Sequence, residues 1–255
     1  MANISQPPAA TIPVPRSILV VYAHPDDESF GPSAVLAKYA RLGSSVYGWF
    51  ATRGEAGQSN HQPPPTPDQL RRWRVEDLAA ATSVIGFAGF EALDYGDGKL
   101  DQIPAQTLAD QVMAEVRRRR PEVVLSFGPA GITRHPDHLV IHRIVTAVFY
   151  QALAEGLGVR ELYYDAVGPE VAGEFGLVGT PDGEPNTWID IAETWPIKLE
   201  ALRMHGRHIL DAQEMVARLE TAPPTRFSPL YRAYPSVSAD REVSSFLEAK
   251  APGVR

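Results

Sequence analysis

The chain has 255 residues, enough for one large domain or two small ones, and no cysteine, which excludes disulfides, thiolate zinc sites, iron–sulfur clusters and cysteine nucleophiles. A net charge of −7 with an ordinary hydrophobic fraction of 44% argues against a general binder of nucleic acid or anionic membrane. The first residues lack a basic start followed by an apolar core, and no apolar run is long enough to span a bilayer, so a cytoplasmic location is expected.

Residues 1–16, rich in Ala and Pro, read as a flexible leader, and 17–255 as a single domain. Residues 17–23 form a strand pattern, followed by a helix over 31–42 that Gly43 ends. Val46 to Ala51 is a second strand. The polar, Pro-rich stretch from Arg53 to Asp68 is long for a connection, and loops of that length often act as lids. A helix over 69–85 closes at Gly86, and Phe90 to Asp94 is a short strand. The helix from Pro104 ends in Arg117–Arg120, a basic run that suits a helix C-terminus. A strand over 122–127, a helix over 137–154 and a short strand from Leu162 to Tyr164 follow. Trp188 to Ile191 reads as one more strand, and 193–220 as helical with a break near Gly206. The tail from Pro223 has mixed signals and a short helix near 240–249. This alternation predicts an α/β fold: a Rossmann-like, doubly wound, mostly parallel sheet with helices on both faces.

Two runs carry the chemistry, His24-Pro25-Asp26-Asp27-Glu28 and His135-Pro136-Asp137-His138, each directly after or close behind an apolar strand. A His at the helix cap with Pro at the first helical position is a natural helix entry, and one turn brings positions i and i+3 to the same side. His24 and Asp27 can then face one point, as can His135 and His138. In a sheet of order 3-2-1-4-5 the first and fourth strands are neighbours, and their carboxyl ends flank the usual ligand crevice. With no cysteine, a site there is built of imidazoles and carboxylates. Two imidazoles and one carboxylate would hold a divalent zinc with positions open for water and substrate. His142, one turn beyond His138, is a fourth-ligand alternative to a plain helix-surface histidine.

These residues resemble the LmbE-like/PIG-L family of metal-dependent N-deacetylases, which includes the GlcNAc-PI de-N-acetylase and deacetylases of the mycothiol and bacillithiol pathways. Its Ala-His-Pro-Asp-Asp-Glu motif stands unbroken at Ala23 to Glu28, and its His-Pro-Asp-His motif at His135 to His138. Softer matches are Thr52-Arg53-Gly54-Glu55-Ala56-Gly57, the helix from Arg74 to Ile85-Gly86, Tyr95 to Leu100, and Lys198-x-x-Ala201 followed by His205. The resemblance covers roughly residues 17–210 and implies zinc ligands at His24, Asp27 and His138. It makes Asp26 the general base, His135 the oxyanion stabiliser or general acid, and Asp137 a partner orienting a histidine. It puts Arg53 near the sugar, with His205 as a further substrate contact or an ordinary helix histidine. The chain departs from the family pattern in three places. Asp77 stands for the usual Glu, Thr133-Arg134 for the Tyr-Gly of some sugar-thiol members, and His208 for the Gln after the late His.

The expected activity is zinc-dependent removal of an acetyl or acyl group from an N-acylated amino sugar or its conjugate. Another small amide, or a non-catalytic metal- or glycan-binding relative, is the alternative. One metal per chain is expected, with iron or manganese also compatible with N/O ligands. Oligomeric state is open, a homo-oligomer included. A dinucleotide-type Gly-x-Gly-x-x-Gly turn, a Gly-x-Ser-x-Gly elbow and His-Glu-x-x-His are all absent. Glu28 reads as a local hydrogen-bonding anchor, His61 as a solvated loop residue, and Trp73 as the tryptophan best placed beside the long loop.

Overall fold

The computed structural model describes residues 14–167, 172–173, 177–178 and 185–235. Most of the expected leader and the helix expected near 240–249 lie outside these. The apolar runs form strands β1 (Ser17–Tyr22), β2 (Ser45–Phe50), β3 (Gly89–Ala92), β4 (Val123–Phe127) and β5 (Glu161–Asp165). Two more, β6 (Thr187–Asp190) and β7 (Phe227–Tyr234), complete a seven-stranded sheet of order β3-β2-β1-β4-β5-β7-β6. The first five strands are parallel, in the order the sequence predicts. Every residue of β1 and β4 is buried, as befits central strands covered on both faces. β7 lies antiparallel between β5 and β6, a strand that the sequence pattern does not reveal.

Helices α1 (Asp27–Phe30), α2 (Ser33–Arg41), α3 (Pro67–Ile85), α4 (Ala105–Arg119), α5 (Gly131–Arg134), α6 (Pro136–Ala154), α7 (Trp195–His205) and α8 (Leu210–Thr221) connect the strands. α4 packs with α6, while α2, α3 and α7 pack with one another. α3 starts two residues before the expected 69 because Thr66 and Gln69 form a capping box with Pro67 at the first position. It ends at Gly86, whose φ of 96° is the left-handed stop expected of glycine. The Arg run ends α4 as its charge suggests, and Arg117 pairs with Glu155 at 3.0 Å. No helix among the described residues is long and apolar enough to cross a membrane.

The 53–66 loop is docked rather than free. Ser59 bridges to Ile209, the Asn60 N–H reaches the His208 carbonyl at 3.3 Å, and the Leu210 N–H reaches the Gln58 carbonyl at 3.0 Å. His61, expected to be solvated, stacks on His208 with ring centroids 5.3 Å apart, and His208 stacks on Trp73 at 4.7 Å. Two positions that depart from the family pattern touch here: Asp77 accepts a hydrogen bond from His208 Nδ1 at 2.7 Å and from Arg207 at 2.5 Å. Asp77 therefore pairs with the α7–α8 turn and not with Arg74.

Candidate active site

β1 and β4 are neighbours, and the chain leaving their carboxyl ends brings the two His-Pro-Asp runs together. The second run folds as its residues dictate. His135 caps α6, its Nδ1 accepts the Asp137 N–H at 3.2 Å, and Pro136 takes the first helical position. The first run does not mirror it. α1 begins only at Asp27, and its cap is Asp26, with φ 117° and ψ −24°. A residue with a β-carbon in that region carries strain on the order of 1–3 kcal/mol and persists only where its surroundings hold it. The backbone N–H of Asp26 donates to buried Glu28 at 3.0 Å, and its carbonyl accepts from Ser29 (2.8 Å) and Phe30 (2.9 Å).

Three acceptor groups converge beside this turn. His24 Nε2 faces Asp97 at 3.0 Å and Asp137 at 3.2 Å, which places its proton there and turns the Nδ1 lone pair inward. His138 donates from Nδ1 to the Gly131 carbonyl at 2.9 Å, which turns Nε2 inward. The two inward nitrogens lie 3.2 Å apart, and the Asp27 carboxylate lies 3.6 Å from the first and 3.3 Å from the second. With both rings neutral, two lone pairs and a carboxylate meet at these distances, and either a cation or a proton on His24 holds them together. A tetrahedral zinc ion with bonds of about 2.0–2.1 Å has ligand–ligand edges of about 3.3–3.4 Å, close to the 3.2 Å between the two nitrogens, while Asp27 presents Oδ2 to His24 and Oδ1 to His138. Burial would raise the Asp27 carboxyl, but His138 and then His24 hold it well below the usual carboxylate range. Burial would lower the His24 imidazole, but Asp137, Asp27 and Asp97 raise it well above its ordinary value.

Ligand-type nitrogens of His24, His135 and His138 also come within 4.8 Å of one another. The Nδ1 of His135 is engaged in capping α6, so the proton of the neutral ring sits on Nε2. Burial and then His24 lower its pKa, which favours that neutral form. A neutral Nε2–H is a donor rather than a ligand. Asp137, with no exposed surface, accepts from the N–H groups of Gly98 (2.8 Å) and Leu100 (3.0 Å) as well as facing His24. Its geometry is that of a carboxylate orienting an imidazole.

Asp26 points to a different neighbour. Arg74 Nη2 donates to its Oδ2 at 2.5 Å and also to the Pro25 carbonyl, while Nη1 donates to the Gly54 carbonyl at 2.9 Å. Burial, opposed by Arg74 and reinforced by Asp27, pushes the Asp26 carboxyl up to about 6. A β-carbon on Gly54 would lie 2.0 Å from Arg74 Nη1, and one on Gly57 2.9 Å. The glycines of the Thr52–Gly57 motif thus admit the guanidinium.

The remaining expectations divide. Arg53 follows β2 on the same sheet edge with its side chain 41% exposed, and its Nε donates weakly to the Ala92 carbonyl at 3.4 Å. His142 is tied by Nδ1 to the Phe127 carbonyl at 3.0 Å and belongs neither to the His24, His135 and His138 cluster nor to the second cluster of His24, Asp97 and Asp137. His205 is corrected as a substrate contact: it is 0% exposed and its Nε2 meets Glu28 at 2.8 Å, so it has no surface to offer a substrate. Sequence reasoning assigned no role to Arg74 or Asp97. Their signal was membership of the softer motifs, which gave no hint of the long-range pairing with Asp26 and His24.

Fold and site together define an α/β protein with a cluster of histidines and carboxylates that could hold a metal ion at the switch point of its sheet. Residues 19–149 match the model of the PIG-L family, GlcNAc-PI de-N-acetylase, and the chain belongs to this family. It is 30% identical over 272 residues to the 1D-myo-inositol 2-acetamido-2-deoxy-alpha-D-glucopyranoside deacetylase of Kineococcus radiotolerans, covering 82% of this chain and 74% of the relative. Among solved structures, the N,N'-diacetylchitobiose deacetylase of Pyrococcus horikoshii superposes with a TM-score of 0.64 at 18% identity, over 86% of this chain and 84% of that one. The 4-carboxy-2-hydroxymuconate hydratase of Pseudomonas putida gives 0.65 at 21% identity, over 88% and 98%. At such identities the solved structures attest the fold alone.

Proposed function

We propose that the chain hydrolyses the N-acetyl group of an amino-sugar conjugate, using one divalent metal ion, zinc by preference, held by His24, Asp27 and His138. The observation that carries this reading is the convergence of those three side chains, with Asp26 next in the chain to Asp27 but paired to Arg74. A bound ion would supply Lewis acidity to the attacking water and to the amide carbonyl. Asp26 takes the water's proton as the C–O bond forms, and its protonated carboxyl returns that proton to the departing amine as the C–N bond breaks. The products are a free amine and acetate, so the atoms balance. The Nε2–H of His135 donates to the oxygen on which negative charge develops. Asp97 and Asp137 hold His24, and the Gly131 carbonyl holds His138, in the tautomers the ion needs. Family membership and the deacetylase of Kineococcus support an acetylated glucosaminide as substrate. The hydratase of like fold is the reason to test the reaction class directly.

Elemental analysis after gentle purification should find about one divalent ion per chain, as three protein ligands define one site. Asp26→Asn should keep the ion and lose amine release, and His138→Ala should lose both. A metal-free protein that rebinds none removes the centre. Normal hydrolysis by Asp26→Asn removes the base.

A further inference from the structure

The proposed base stands in a backbone conformation unusual for any residue but glycine, and α7 presents the groups that can hold it there. Lys198, Ala201 and His205 recur at helical spacing and share one face of α7. Lys198 donates from Nζ to the carbonyls of Ser29 (2.8 Å), Phe30 (2.8 Å) and Gly31 (2.7 Å). Ala201 is fully buried and too small to hold the helix away. His205 meets one oxygen of Glu28 at 2.8 Å, and the other oxygen of Glu28 accepts the Asp26 N–H at 3.0 Å. The turn also lies against Asp165, whose carboxylate would lie 2.9 Å from any β-carbon on Gly31. Glu28 and His205 are wholly inaccessible, so neither can meet a substrate.

We propose that Glu28, His205 and Lys198 are positioning residues that clamp the 26–31 turn and thereby hold Asp26 with φ 117° and its carboxylate on Arg74. The inference rests on the reading of Asp26 as the base. It gives one role to the Lys-x-x-Ala and late-His positions of α7. A merely structural α7 would affect folding but not turnover per folded, metal-loaded molecule.

The test is steady-state kinetics of metal-loaded wild type, His205→Phe, His205→Gln, Lys198→Met and Asp26→Asn. The probe is 1D-myo-inositol 2-acetamido-2-deoxy-alpha-D-glucopyranoside, read by amine release, with metal content and Tm measured on the same samples. Loss of about 1 Å in placement costs on the order of a hundredfold, so His205→Phe and Lys198→Met should lower kcat about a hundredfold with KM and metal content unchanged. His205→Gln keeps an N–H for Glu28 and should stay within about tenfold of wild type. Unchanged kcat in folded, metal-loaded His205→Phe and Lys198→Met, or Gln no better than Phe, overturns the proposal, as does metal loss in step with kcat. An inactive Asp26→Asn beside a fully active His205→Phe removes the clamp alone, whereas an active Asp26→Asn removes the base and the clamp with it. A second arm needs no turnover. Asp26→Gly should shift Tm several degrees more favourably in wild type than in His205→Phe, because only the clamped turn holds the strain that glycine relieves. Equal shifts in the two backgrounds overturn the clamp.

Discussion

Replacing Gly54 with alanine tests the junction between the 53–66 loop and the proposed base. The new β-carbon would lie 2.0 Å from Arg74 Nη1, 2.4 Å from Cζ and 2.7 Å from Nε, at a backbone φ of +68°. The left-handed backbone alone costs an alanine about 1–2 kcal/mol. The guanidinium ends a flexible side chain, but it is anchored on Asp26, Pro25 and Gly54. Displacing it leaves buried acceptors without a donor, and keeping it overpacks the site; either route adds about 1–3 kcal/mol. The total of about 2–5 kcal/mol corresponds to a fall in Tm of roughly 4–20 °C for a chain of this size. Gly43→Ala is the control, since its φ is +101° and nothing lies within 4 Å of its β-carbon. Thermal melts of both variants, with kcat on the metal-loaded proteins, give the answer. Gly54→Ala should melt several degrees below Gly43→Ala and lose about tenfold or more in kcat. Equal Tm and equal kcat for the two variants would refute the packing of Arg74 against this loop.

Other expectations follow from the same contacts. Gly131→Ala would place a β-carbon 2.8 Å from that of His138 at φ +61°, so metal affinity, measured by chelator competition, should weaken about 10–100-fold; unchanged affinity contradicts the role of that turn. Burial pushes the Asp165 carboxyl up to about 7, while an unfolded aspartate titrates near 4. Between those values the native state holds more protons, so this group makes metal-free protein less stable as pH rises from about 4 to 7. Asp165→Asn, which can keep the hydrogen bond from Tyr22, should therefore gain on wild type across that window by up to about 4 kcal/mol; a gap that does not vary with pH speaks against it. Asp77→Glu and His208→Gln should each lower Tm, and the double variant should recover part of the loss through a coupling of about 0.5–3 kcal/mol in a cycle of melts. Strict additivity would mean that the 2.7 Å contact between them is energetically idle.

What the sequence revealed was local. Apolar runs located β1 and β4, and Gly86 and the Pro residues at helix starts located the helix ends. The chemistry-bearing residues follow short motifs, so they could be named before their geometry was known. What stayed hidden depends on contacts between distant segments. β7 contains Pro229, which cannot donate to a ladder, and its pairing with β5 and β6 is a matter of chain reversal rather than of alternation. The symmetry of the two His-Pro-Asp runs was misleading for the same reason. Pro136 opens a helix, whereas Pro25 precedes a strained Asp26 whose conformation depends on Glu28 and on Arg74, 48 residues away. His205 reads as a substrate contact until its partner Glu28, 177 residues distant, buries it. His61 reads as solvated until the docked loop stacks it on His208.

The proposed chemistry turns on a single metal centre with Asp26 left off the ion. Anomalous X-ray diffraction at the zinc edge, on crystals of zinc-loaded protein, tests it most directly. One peak is expected within bonding distance, about 2.0–2.2 Å, of His24 Nδ1, His138 Nε2 and the Asp27 carboxylate, with Asp26 and His135 outside that range. A peak bonded to Asp26 or to His135 in place of Asp27, or no peak at this site, would contradict it.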